Sequence, residues 1–233
     1  MIIDNLKKSL VKFLFHCTLC IVLSTRFAAG QDYFQQEVKY TINVSLNDTK
    51  HELSAYEQIV YINNSPNELK EIYFHLWPNG YKNTETALAK QFELQGSRRM
   101  IDLPDSSFGY IDSLSFMVDG ETVQMINDSV NIDICKIFLN HPLKSGDSIS
   151  ISTPFRVKIP SAKISRMGHI GQAYYISQWY PKPAVYDKYG WHPITYLDQG
   201  EFYSEFGSFD VSITLPKNYV VAATGDLQTE EEK

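Results

Sequence analysis

Hydrophobic and polar residues alternate one for one along much of the chain. Val38, Tyr40, Ile42, Val44 and Leu46 are interleaved with Lys39, Thr41, Asn43 and Ser45. That period of two predicts a strand with one buried face. Asn47-Asp48 supplies turn chemistry, and a β-prone run at 53–62 closes at Asn63-Asn64-Ser65-Pro66, so the first two strands form a hairpin. Further strands are predicted at 72–77, 111–118, 122–125, 131–139, 148–158, 209–215 and 219–223. In the run at 209–215 the alternation Phe209, Val211, Ile213, Leu215 is strict. One helix is predicted at 84–95, where Ala87, Leu88, Gln91 and Phe92 fall on one face. Many short strands with one brief helix give an all-β fold class: a large antiparallel β-sandwich of about 190 residues.

The first thirty residues follow a different pattern. Lys7, Lys8 and Lys12 precede an apolar run at 13–23, and Ala28-Ala29-Gly30 supplies small residues before Gln31. This is the layout of a secretory signal peptide over 1–30, with the domain at 31–225 and the start of a linker at 226–233. A mainly apolar run of eleven residues is too short for a stable membrane span, which needs about 20. The expected location is therefore exported, periplasmic or extracellular. Cleavage would remove Cys17 and Cys20 and leave Cys135 alone, so stability must come from the core and not from disulfides.

Composition narrows the partner classes. The 233 residues are 43% hydrophobic with a net charge of −6, a globular profile and not a disordered one. Without residues 1–30 the chain carries 17 basic against 26 acidic residues, near −9. No basic stripe is visible, which excludes a nucleic-acid partner.

Catalytic motifs are absent where they are sought. His51-Glu52 begins an H-E-x-x-H zinc motif, but Ala55 stands where the second histidine belongs. In a strand, residues four apart are also more than about 12 Å from one another, at about 3.3 Å per residue. His51 is read as a surface residue beside a turn, and His75, His141, His169 and His192 as separate structural histidines. There is no G-x-S-x-G and no phosphate loop. Cys135 reads as a small buried hydrophobe. Asn43, Asn47 and Asn127 fit the glycosylation pattern, which is common by chance.

Aromatic residues are concentrated late in the chain. Twelve of the 31 lie at 171–209. The stretch Gln178-Trp179-Tyr180-Pro181-Lys182-Pro183-Ala184-Val185-Tyr186-Asp187 carries two prolines and is predicted as a rigid loop, neither helix nor central strand. Its rings either wall a groove or cap one end of the core.

The same words carry a resemblance. That stretch, then Gly190-Trp191-His192, then Gly200-Glu201-Phe202-Tyr203-Ser204-Glu205-Phe206-Gly207-Ser208-Phe209-Asp210-Val211, resembles the amino-terminal domain of bacterial exported zinc aminopeptidases of the aminopeptidase N family, the gluzincin metallopeptidases. Tyr73-Phe74-His75-Leu76-Trp77-Pro78-Asn79 and Pro216-Lys217-Asn218-Tyr219-Val220-Val221-Ala222-Ala223-Thr224-Gly225 fit the same pattern, so the resemblance covers 33–225.

The resemblance implies a saddle-shaped sandwich that walls the substrate groove of a following thermolysin-like catalytic domain. On this reading the chain is truncated before that domain. Zinc belongs there, no cofactor belongs to this chain, and the partner molecule is a peptide substrate engaged through the parent enzyme. Relatives hold the substrate's free amino group with a Gln-Ala pair nine residues before a proline. Gln172-Ala173 stands nine residues before Pro181, which makes Gln172 the candidate, with Gln178 its nearest competitor and Glu201 and Glu205 as further acceptors. The alternative from another class is a stand-alone exported peptide- or glycan-binding module using Trp179, Tyr180 and Trp191.

Overall fold

A computed structural model describes residues 33–200 and 202–229. The leader read at 1–30, Glu201 and the last four residues lie outside them. All of the described strands and helical turns belong to one unit, which begins at Gln35.

The strands run in chain order as β1 (Glu37–Asn47), β2 (Glu52–Ile62), β3 (Leu69–His75), β4 (Tyr110–Asp112), β5 (Met117–Val118), β6 (Glu121–Thr122), β7 (Met125–Asn127), β8 (Ile134–Leu143) and β9 (Ser148–Lys158). They continue as β10 (Gly168–Ile170), β11 (Ala173–Tyr175), β12 (Lys182–Pro183), β13 (Val185–Asp187), β14 (Gly190–His192) and β15 (Gly207–Thr214). The single described α-helix, α1 (Ala87–Leu94), lies between β3 and β4. Seven strands form the large sheet, in the order β15-β1-β2-β9-β5-β6 with β4 also on β9. A four-stranded sheet runs β12-β3-β8-β7, and β10-β11 and β13-β14 are hairpins.

The two larger sheets share one core. Val38, Tyr40 and Ile42 of β1, Ile59 and Tyr61 of β2, and Ile151 and Val157 of β9 meet Ile72 and Phe74 of β3 and Cys135 and Ile137 of β8. Phe74 and Phe116 sit 4.7 Å apart, ring to ring. Each such side chain, fully buried, contributes about 1.5–3 kcal/mol. The all-β sandwich and the β1–β2 hairpin are as expected. Asn47 Oδ1 accepts from the Lys50 N–H at 3.0 Å and turns the hairpin. Asn63, fully buried, ties its own turn by donating to the carbonyls of Asn67 and Leu143.

Several boundaries differ from the sequence expectation, each for a local reason. The helix is shorter than 84–95 because the Thr86 hydroxyl caps it, accepting from the Ala89 N–H at 3.2 Å. The strand expected at 111–118 divides into β4 and β5 at Ser113, whose φ is +61°. There β9 carries Pro154, and the Thr153 hydroxyl accepts the Ser115 N–H, so the ladder bulges. The strand expected from 131 starts at Ile134, because the Asp128 carboxylate gathers the N–H groups of Val130 and Asn131 into a turn. β3 stops at His75, and Trp77–Tyr81 winds into a 3-10 turn with Pro78 near its start.

Two differences lie at the C-terminal end. β15 pairs parallel, not antiparallel, with β1, and all eight of its residues are exposed. Residues 219–223 form no strand, and no described strand pairs with them.

Candidate functional site

The aromatic segment divides into an inner and an outer set. Tyr196 is buried, and Tyr174, Trp179, Tyr180, Tyr186, Trp191 and Phe202 pack half-buried against the core. Trp179 meets Phe155 at 5.8 Å, and Trp191 meets Tyr73 at the same distance. The rings assigned to a stand-alone binding surface, Trp179, Tyr180 and Trp191, thus lean inward. Tyr175, Tyr189, Tyr203, Phe206 and Phe209 are the exposed ones. The proline-rich loop contributes β12 at the edge of the four-stranded sheet, where Pro183 is tolerated.

Gln178 and Lys182 meet within this loop. Gln178 has a φ of +53°, a conformation rare for a side-chain-bearing residue. Its amide oxygen accepts from the Lys182 ammonium. That ammonium sits 4.7 Å from the ring centres of both Trp77 and Tyr180, an aromatic clamp for a cation. Burial lowers the Lys182 amine to about 8, and the negative charge of Glu57 works against that shift.

Glu57 is the residue that sequence reasoning missed. It is fully buried, and its carboxylate makes no hydrogen bond to any described residue. Burial raises its pKa, with Lys182 opposing the shift. Parity was the available signal: Leu53, Ala55, Glu57, Ile59 and Tyr61 all fall on the core-facing side of β2. Nearby His75, fully buried, stacks on Trp77 at 4.5 Å and accepts the Ile194 N–H at its Nε2. Burial holds it near 3, so it is neutral.

Gln172 lies in a different setting. It follows Gly171 in the two-residue turn between β10 and β11. Gly171 has a φ of +53°, which suits glycine at the first central position of such a turn. Gln172 is exposed, and its amide oxygen accepts from the hydroxyls of Tyr219 at 2.5 Å and Tyr174 at 3.2 Å. Asp48 offers the same two hydroxyls alternative acceptors, its carboxylate to Tyr219 and its carbonyl to Tyr174. His51 stacks on His169 at 3.7 Å beside them, and burial followed by the neighbouring His169 lowers its pKa. Of the other acceptors, Glu205 takes the Tyr186 N–H, and burial raises it to about 7.

A surface pocket of about 440 Å³ is lined by Asn131, Pro193, Ile194, Thr195, Leu197, Gly200 and Phe202, and by neither glutamine. Among the described residues no group of three or more His, Cys, Asp or Glu side chains is placed to hold a metal ion. These residues do not fit zinc, and no step through a metal is assigned to them. No described helix is long and apolar enough to cross a membrane.

In structure the chain resembles M1 zinc metallopeptidases. A two-domain M1 zinc metallopeptidase variant bound to L-tryptophan matches with a TM-score of 0.46 and 13% identity, over 84% of this chain and 36% of that one. The M1 zinc metallopeptidase from Deinococcus radiodurans gives 0.44 and 13%, over 84% and 35%. Native leukotriene A4 hydrolase from Saccharomyces cerevisiae gives 0.32 and 12%, over 58% and 18%. The chain spans about a third of the length of the M1 structures, over their N-terminal region. No protein-family profile matches the chain, and no curated protein does.

Proposed function

We propose that this chain is the non-catalytic N-terminal domain of an exported zinc aminopeptidase, one that releases N-terminal residues from peptides. It walls the substrate groove of a catalytic domain that supplies the zinc. The aromatic and proline words along 73–79, 178–192, 200–211 and 216–225 support this reading. The observation that carries it is the position of Gln172 at an exposed turn, its oxygen oriented by two tyrosine hydroxyls. Each hydroxyl has one proton and a second acceptor on Asp48. Either can turn to Asp48 and leave the Gln172 oxygen open to a peptide's ammonium group.

The test has two parts. The chain incubated with zinc and aminoacyl fluorogenic substrates should release nothing above a blank; metal-dependent release would contradict the non-catalytic assignment. In a full-length parent, Gln172→Ala removes a charge-assisted hydrogen bond, so kcat/KM on free-amine peptides should fall about 10- to 100-fold. Unchanged kinetics across a panel of such peptides would remove Gln172 from the site.

A further inference from the structure

Two hairpins of the fold meet through a pair of histidines. His51, the last residue of the β1–β2 turn, lays its ring on that of His169 in β10, centre to centre at 3.7 Å and within 15° of parallel. Its φ of +53° is uncommon for a residue with a side chain. Beside the stack, His51 Nδ1 and the Tyr174 hydroxyl of β11 are 2.8 Å apart, and that hydroxyl lies 3.2 Å from the Asp48 carbonyl. β10 and β11 belong to neither of the larger sheets. The base of their hairpin is fixed, since the His169 N–H donates to the Pro160 carbonyl and the Ala162 N–H donates to the His169 carbonyl. Beyond that base, the histidine stack and Tyr174 fasten the hairpin to the β1–β2 turn, with Gln172 at its tip.

We infer that the stacked pair is a proton-operated latch: neutral rings hold the β10–β11 hairpin against the β1–β2 turn, and protonation of both lets it go. Neutral rings stacked in this way attract. Two imidazolium rings in the same place bring like charges within about 4 Å, which even at the dielectric constant of water disfavours contact about 5-fold. One proton alone is tolerated, because His51 Nδ1 can then donate to the Tyr174 oxygen. The surrounding charges are mixed: Lys158 of β9 acts on His51 with a further positive charge and Asp48 of the turn with a negative one. Burial first, then His169 and Lys158, lower the His51 pKa from 6.5, with Asp48 opposing. A group so shifted takes its proton more readily once the hairpin is free, so docking is full above pH 6.5 and weakens as pH falls. Tyr174, and Tyr219 whose ring meets it at 5.9 Å, are uncharged throughout this range. Release would carry Gln172 away from Tyr219. The latch stands on the histidine pair alone; only its effect on a peptide's ammonium rests on the role proposed for Gln172.

Hydrogen exchange over 168–175 in the full chain, corrected for the intrinsic effect of pH, should speed up about 5-fold or more between pH 7.5 and pH 5. His169→Phe keeps a flat ring over His51 but takes no proton, and the segment should then lose that added pH dependence. His75 acts on both proteins alike and cancels in the comparison. A second readout does not involve stability. By NMR, the ring protons of His51 should titrate at higher pH in His169→Phe than in the unmodified chain, because the neighbouring charge is gone. Equal pH dependence of exchange in the two proteins, or a His51 midpoint that His169→Phe leaves unmoved, would overturn the latch. Neither readout uses a peptide or a parent enzyme, so unchanged kinetics for Gln172→Ala would leave it standing.

Discussion

The Gln178 amide oxygen is the hydrogen-bond acceptor for the buried Lys182 ammonium. The ammonium that Gln178 holds belongs to its own chain, four residues on, which accounts for a side-chain-bearing residue at a φ of +53°. Gln178→Ala should destabilise the fold by about 1–3 kcal/mol, because it leaves a buried donor without this acceptor. Urea unfolding at pH 7 measures it, and an unchanged midpoint would show that the bond contributes nothing.

Lys182 and Glu57 should behave as a unit. Each is buried, and the charge of each opposes the burial shift of the other. Lys182→Met alone removes the charge that opposes the burial shift of Glu57 and the donor that Gln178 accepts, and should cost about 1–3 kcal/mol. Adding Glu57→Gln removes the group whose ionisation Lys182 favours and should recover part of that loss. A double-mutant cycle by denaturant unfolding reads the coupling directly, and strictly additive effects would exclude it.

His75 makes stability depend on pH in a known direction. Its pKa is lowered from 6.5 to about 3 by burial first and then by Lys182. Between those values the unfolded state binds the proton and the folded state does not. Its contribution is therefore full above pH 6.5 and is lost as pH falls toward 3, by up to about 1.4 kcal/mol per pH unit. Glu205, raised to about 7, acts oppositely, its contribution being lost as pH rises from 4.5. His75→Gln keeps an acceptor for the Ile194 N–H and should flatten the acid limb. Unfolding midpoints at pH 7, 5 and 4 for both proteins isolate the His75 part as their difference.

Cys135 should be inert in the folded chain. Burial raises its thiol to about 12, so almost no thiolate forms near pH 8. Site-resolved alkylation should label it only in denaturant. Labelling of the native protein at the rate of a free thiol would show that β8 opens readily.

Much of the architecture was legible because alternation is a local signal. β1, β2 and β9 announce their buried faces residue by residue, and side-chain period alone places Tyr40 and Ile42 inside. Strand ends were less legible, since they depend on partners: Pro154 and Thr153 of β9 break the strand at Ser113, and Asp128 delays the start of β8. The candidate site was legible as residue words but not as geometry. Gln172 and Gln178 stand six positions apart and carry the same amide, and only the folded chain assigns one to tyrosine hydroxyls at a surface turn and the other to a buried lysine.

The sequence by itself determined the all-β class, the first hairpin and the concentration of aromatic rings late in the chain, because these follow from side-chain period and composition. Only the tertiary structure decided that β15 lies parallel to β1, and that Glu57 is buried in the core where the charge of Lys182 acts on it. Both are relations between segments about a hundred residues or more apart. Strand order and the neighbours of a buried charged group are set by which distant faces meet, and no local pattern encodes that meeting.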